Sequence, residues 1–178
     1  MTCIVGVTHK GKVYLGGDSC GSSSASQQTV GNPKVFKVQD FLIGCTSSFR
    51  MIDLLTHNLS VGRDHPEDSD DLFMRTTFIE GVRQCLKKGG FAKISAGVES
   101  GGNFLVGYHG KLYEIQNDYS ILNCEDWGNS VGSGEGPARG SLWTTRKGKD
   151  PKVRVKTALG AAEAIVPSVR GPMVLLVL

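Results

Sequence analysis

Apolar residues along this chain fall into short runs rich in β-branched and aromatic side chains, and into longer stretches spaced at three and four. Ile4-Val5-Gly6-Val7 and Val13-Tyr14-Leu15 flank His9-Lys10-Gly11, a polar tripeptide that predicts a tight hairpin turn. A turn centred on Lys10 sets Asp18 roughly opposite Thr2. Ser19 to Gly31 is dense in Ser, Gly and Gln, which predicts an irregular loop bordering a pocket. Pro33 then leads into a second hairpin, Val35 to Cys45, folded around Gln39-Asp40.

Thr46-Ser47-Ser48 caps a helix whose Phe49, Ile52, Leu55 and Leu59 share one face, predicted to run to about Val61 and to close at Gly62. After a polar connection from Arg63 to Glu67, Ser69-Asp70-Asp71 starts a second helix. Leu72, Phe78, Ile79, Val82 and Leu86 supply its apolar face, and Lys87 to Gly90 ends it. Asn103–Tyr108 and Lys111–Ile115 predict a hairpin about His109-Gly110, and Tyr119–Cys124 a further strand. A glycine-rich turn at Val131–Gly136 precedes a helix over Pro137–Thr145. Within the basic run Arg146 to Lys156, Asp150-Pro151 caps another that continues to Pro167, and the last strand is Met173 to Leu178. Two strand-rich blocks interleaved with helices fit an α+β sandwich, a pair of antiparallel sheets covered by helices on both outer faces.

At 178 residues, 39% hydrophobic and without a break in composition, the chain reads as a single domain over 1–178. A net charge of +3 from 20 basic and 17 acidic residues gives no reason to expect nucleic acid or an anionic membrane as partner. Cys3, Cys20, Cys45, Cys85 and Cys124 form an odd set without a C-x-x-C pair, and no apolar signal precedes the first strand, so free thiols in a reducing, cytoplasmic compartment are expected. Nothing approaches the run of about 20 apolar residues that a membrane span needs. His9, His57, His65 and His109 lack metal-ligand spacing, and the glycine cluster lacks the ending of a P-loop, so neither metal nor cofactor is expected.

Candidate chemistry gathers at the N-terminus. Thr2 follows Met1, and its small side chain is of the type that permits removal of an initiator methionine. Removal would free an α-amine, which titrates near about 7.7 to 8.0 and can act as a base beside its own hydroxyl. Lys34 begins a strand immediately after the Ser/Gly loop, and Asp18 ends the first hairpin. Thr2, the G-G-D ending at Asp18 and the N-P-K-V around Lys34 together resemble the proteasome β-subunit and bacterial HslV group of N-terminal nucleophile (Ntn) hydrolases. That resemblance implies a four-layer αββα sandwich, Thr2 as nucleophile, Lys34 as the neighbouring amine and Asp18 as its carboxylate partner.

It implies further that Ser133, in G-S-G, is the serine beside the nucleophile's amine and that Ser168 is the serine preceding the last strand. The family's second aspartate has no counterpart here, since Val166 and Glu163 occupy the nearby positions. Where the family supplies an oxyanion N–H from glycine, this chain has Ser48. An ungapped match puts Gly21, Asn32, Thr46 and Arg50 around the pocket for the residue preceding the cut, and an Arg50 guanidinium reaching into that pocket would select an acidic side chain. The implied activity is a threonine-type peptidase acting on peptide or unfolded protein. The implied assembly is a homo-oligomeric ring or stacked ring, fed in some relatives by an ATP-dependent unfoldase. Two alternatives stand beside it: a catalytically silent assembly subunit, in which a retained Met1 acylates the amine, and a small-molecule amidohydrolase using the same chemistry.

Overall fold

In the computed structural model, which describes residues 2–23, 26–63, 65–148 and 150–178, strands β1 (Ile4–His9) and β2 (Lys12–Gly17) turn through Lys10 and Gly11. Both turn residues have positive φ, 49° and 72°, the conformation whose twist matches paired strands. His9 therefore pairs with Lys12 and Ile4 with Gly17, which sets Asp18 opposite Cys3, one residue from the expected partner Thr2. Met1, on whose removal the nucleophile reading turns, lies outside the described residues. So do Ser24 and Ala25 of the expected loop, Asp64 of the polar connection and Lys149 of the basic run.

The Ser19–Gly31 segment is not an irregular loop: β3 (Cys20–Ser22) and β4 (Gln27–Thr29) pair within it as a small ribbon. The second hairpin forms as expected from β5 (Val35–Val38) and β6 (Phe41–Cys45), and α1 (Phe49–Asn58) follows with Ser48 as N-cap. The helix stops at Asn58, short of Val61, because the Gln39 side-chain amide takes over the backbone of Val61, accepting from its N–H at 2.9 Å and donating to its carbonyl at 3.1 Å. Leu59 is buried all the same, in extended rather than helical geometry.

Ser69 caps α2 (Asp70–Phe73), which passes through a π-helical turn, Met74–Phe78, into α3 (Ile79–Lys88). That wider turn takes more residues than the 3.6-residue period and carries Leu72 out of phase. Leu72 is exposed, and Phe73 and Met74 fill the core in its place. Next come β7 (Lys93–Ser95) and β8 (Val98–Ser100), a ribbon that periodicity did not mark, then the expected β9 (Phe104–Tyr108), β10 (Lys111–Ile115) and β11 (Ile121–Asn123). Finally β12 (Asn129–Val131), α4 (Glu135–Thr144), α5 (Pro151–Ile165) and β13 (Val174–Val177) complete the chain. Among the described residues, no helix is long and apolar enough to cross a membrane.

Two antiparallel sheets result, ordered β12-β1-β2-β13 and β11-β10-β9-β6-β5. Because side chains alternate across a strand, each sheet feeds two cores. Cys3, Val5 and Val7 pack with Ala138, Leu142, Val155 and Leu159 under α4 and α5. Ile4, Val13 and Leu15 meet Val35, Leu42, Leu105 and Leu112 between the sheets. Phe41, Ile43, Val106 and Tyr108 face α1 and α3 through Met51, Leu55, Val82 and Leu86. The order is helices, sheet, sheet, helices, the four-layer αββα sandwich expected from the resemblance.

Between the sheets a Cβ on Gly44 would lie 2.5 Å from Ile4 Cγ2. Gly44→Ala should therefore overpack the inter-sheet core by about 1–3 kcal/mol, a fall of roughly 2–12 °C in Tm for a chain of this size. Calorimetry of the purified variant checks this, and an unchanged midpoint would show that Ile4 yields at no cost.

Candidate active site

Asp18 follows β2 directly and is 1% exposed; Lys34 precedes β5 and is 2% exposed. Their contact therefore joins the first sheet to the second at one end of the sandwich. Asp18 Oδ1 accepts from Lys34 Nζ at 3.0 Å and from the Cys3 N–H at 2.9 Å. Oδ2 accepts from Lys34 Nζ at 2.9 Å and from the Cys20 N–H at 3.0 Å. Lys34 Nζ also donates to the Cys20 carbonyl at 2.7 Å. A carboxylate offers about four acceptor sites and an ammonium three protons, so both partners are saturated as an ion pair.

Thr2, buried at the start of the first strand, is held from the other side by the turn between β12 and α4. Gly132 adopts φ 105°, and a Cβ there would fall 2.3 Å from the Thr2 carbonyl oxygen, so only glycine brings the turn this close. The Gly134 N–H donates to that oxygen at 3.2 Å. Ser133 Oγ accepts from Thr2 N at 3.2 Å and lies 3.3 Å both from the Thr2 carbonyl and from Ser168 Oγ. Ser168 sits buried in the turn that follows α5, closed by a bond from the Val169 N–H to the Val166 carbonyl at 3.0 Å. Glu163 is engaged elsewhere, accepting from the Gly171 N–H at 2.8 Å. Thr2, Ser133 and Ser168 thus form one hydrogen-bonded chain, and Asp18 and Lys34 another.

The two chains meet at a cleft of about 290 Å³ lined by Thr2, Cys20, Lys34 and Thr46, with Phe49 and Ile52 of α1 as its apolar wall. Of the residues matched to the specificity pocket, Thr46 is there, its hydroxyl donating to the Asn103 carbonyl at 2.6 Å. Gly21 and Asn32 lie outside the cleft lining, Gly21 buried in β3 and Asn32 exposed. Arg50 turns away, its Nη2 donating to the Gly89 carbonyl at 3.2 Å. The carbonyls ending α3 carry the negative end of that helix's dipole and draw the guanidinium across.

The Ser48 N–H does not point freely into the cleft. It donates to the Thr46 carbonyl at 2.7 Å in an i→i+2 turn whose central residue, Ser47, has φ 55°. Cys3, next to the threonine, faces α4 and α5, and burial pushes its thiol up to about 11, which keeps it a neutral core residue near pH 7. All five cysteines are free. Periodicity alone missed Cys20, whose backbone meets both charged groups, and it put Phe49 and Ile52 on the apolar face of a helix without marking them as a wall of the cleft.

No family model and no curated protein matches the chain. Solved structures do match it. Thiobacillus denitrificans BPH in complex with epoxomicin is similar at TM-score 0.81 and 14% identity over 99% of this chain and 97% of that one. Eukaryotic HslV from Trypanosoma brucei gives 0.71 and 17% over 98% of each. The Anbu Gly-1 mutant from Hyphomicrobium sp. strain MC1 gives 0.68 and 14% over 100% of this chain and 82% of that one. The fold is that of the proteasome-like Ntn hydrolases.

Asp18→Asn leaves Lys34 buried without a counter-charge, and removal of one member of such a pair costs about 3–5 kcal/mol. Adding Lys34→Met should recover part of that loss. Denaturant unfolding of the two variants measures both effects, and a loss below about 1 kcal/mol would mean that water screens the pair.

Proposed function

We propose that the chain is an N-terminal threonine peptidase, with the nucleophile exposed when Met1 is removed. The observation that carries the reading is that Lys34, paired with the buried Asp18, lines the same cleft as Thr2, next to a serine hydroxyl 3.2 Å from Thr2 N. A folded chain bears the cost of burying two charges where a positive potential is needed, and a developing alkoxide is such a place.

As an ion pair, Lys34 uses all three protons on Asp18 and Cys20 and has no lone pair to offer. Proton transfer then falls to the Thr2 α-amine, with Lys34 as electrostatic support. In this reading Thr2 Oγ attacks the amide carbonyl as its proton passes to the α-amine. The tetrahedral intermediate collapses, and the leaving amine takes up that proton. Water attacks the resulting ester, giving a proton to the α-amine, and the acid departs as Thr2 Oγ is reprotonated. Ser133 holds the amine, and Ser168 holds Ser133.

The engaged Ser48 N–H favours one competing reading, a silent assembly subunit, because an oxyanion donor must point at the developing charge. The reading of a small-molecule amidohydrolase uses the same residues and differs only in substrate. The similarity to HslV and Anbu supports a homo-oligomer, ring or stacked ring, as the working form. An unfoldase partner rests on the resemblance alone.

Intact mass should show a chain beginning at Thr2 and a single covalent adduct with an epoxyketone. Thr2→Ala should fold normally, form no adduct and lose peptide hydrolysis by more than about a thousandfold. A retained Met1 with no adduct on the wild-type chain would instead establish the silent subunit.

Specificity follows from the wall of the cleft. Phe49 and Ile52 suit an apolar residue before the cut, in place of the acidic one that an inward Arg50 would have chosen. Fluorogenic peptides ending in Leu should be cleaved at least about tenfold better than those ending in Glu, and Arg50→Ala should leave the ranking as it is. A Glu preference that disappears in Arg50→Ala would restore arginine as the selector.

A further inference from the structure

At the other end of the sandwich, the β1–β2 and β9–β10 turns, the loop around Trp127, the segment after α4 and the first turn of α5 enclose a cleft of about 590 Å³. β1 runs six residues from near Thr2 toward this end, so roughly 20 Å separates the two sites. Arg154 lines the cleft and is 6% exposed. Its Nη2 donates to the carbonyls of Trp127 and Leu142, while its Nε has no partner. Among the described residues no carboxylate lies within ion-pairing distance of it. The nearest acid in sequence, Asp150, is occupied as the cap of α5, accepting from the N–H groups of Lys152 and Val153. Among the described residues Lys34, the other buried cation, has a carboxylate and Arg154 has none. Burial accordingly pushes the Arg154 guanidinium down from its ordinary pKa, with no counter-charge to offset it.

The mouth of the cleft is also shaped. Arg146 lies over the Trp143 ring, 3.8 Å from its centroid, and Nη1 donates to the Trp143 carbonyl at 2.8 Å. Trp143 in turn meets Trp127 edge-on at 5.6 Å. One guanidinium is thus buried and a second is held at the rim, where Lys10 stands close by. Glu125 and Asp126 share that rim, are exposed, and form no ion pair among the described residues. Their charge repels an extended polyanion and favours a compact group that reaches past them.

We propose that this cleft binds a small free oxyanion, phosphate or carboxylate, seated against Arg154 with Arg146 at its rim. A guanidinium that has no carboxylate and keeps an unused N–H offers an oxygen of such a group both charge and a donor. The proposal is independent of the chemistry at Thr2, and Thr2→Ala should bind the anion unchanged.

The test is calorimetric titration and thermal unfolding of the whole chain with sodium phosphate, and separately with sodium citrate, against sodium chloride at matched ionic strength. A saturable rise in midpoint with either anion is expected, and the one that acts identifies the class. Arg154→Gln should weaken binding by about tenfold or more. Should that variant fail to fold, Arg146→Ala, an exposed change, must weaken the same binding severalfold. No saturable effect of either anion beyond chloride, or binding undiminished in every folded variant, would overturn the proposal.

Discussion

Everything at the candidate site hangs on a buried carboxylate that cannot be left unsatisfied. Asp18 lies at the end of β2 where water does not reach, and an unpaired anion there would be costly. Four hydrogen bonds answer it, from three places in the chain: the Cys3 N–H before β1, the Cys20 N–H in β3, and Lys34, just before β5, on both oxygens. Satisfying one group therefore fixes the entry of the first strand, the exit of the second, the ribbon and the start of the other sheet. Lys34 is itself locked into the second sheet, its carbonyl accepting from the Cys45 N–H at 2.9 Å. Thr2 has little freedom left once its neighbour Cys3 is pinned by Asp18 and its own carbonyl by Gly134.

Much of this arrangement was legible in the residues. Gly16-Gly17-Asp18 and Asn32-Pro33-Lys34 carried the pair, and the short apolar runs of β1, β2, β5, β6, β9 and β10 carried both sheets. Strands buried on both faces read as nearly continuous apolar runs, which is why these were plain and β12, with Asn129 and Ser130, was not. The β7–β8 and β3–β4 ribbons escaped because strands of three residues are too short to carry a hydrophobic period. The mismatches at Leu59 and Leu72 have local causes, a glutamine that competes for backbone and a π-helical turn. Neither leaves a mark on a 3.6-residue pattern.

Arg50 shows why a matched position does not transfer a matched role. Its place on the first turn of α1 is compatible with a guanidinium in the cleft, and the ungapped match pointed there. What decides its direction is the carbonyl of Gly89 at the end of α3, some forty residues on, and an end of a helix is visible only after the chain has folded. Turned away, it leaves Phe49 and Ile52 as the wall, so the same helix that buries Ile52 also sets the polarity of the cleft.

The Ser47–Ser48 turn is where fold and proposed chemistry pull in different directions. Glycine would accept positive φ freely; here Ser47 takes it, which costs backbone strain that an L-residue rarely bears without support. The support is visible: Ser47 Oγ accepts from the Asn103 N–H at 3.3 Å, and Thr46 bonds the Asn103 carbonyl, so the turn is tied to the residue that leads into β9. The Ser48 amide is thereby spent on Thr46. For a peptidase of the proposed kind, the peptide between Ser47 and Ser48 must rotate so that its N–H faces the carbonyl under attack. The rotation turns on ψ of Ser47 and φ of Ser48, and it exchanges one hydrogen bond for another. Oxyanion stabilisation would then be made on substrate binding, rather than held ready in the free chain.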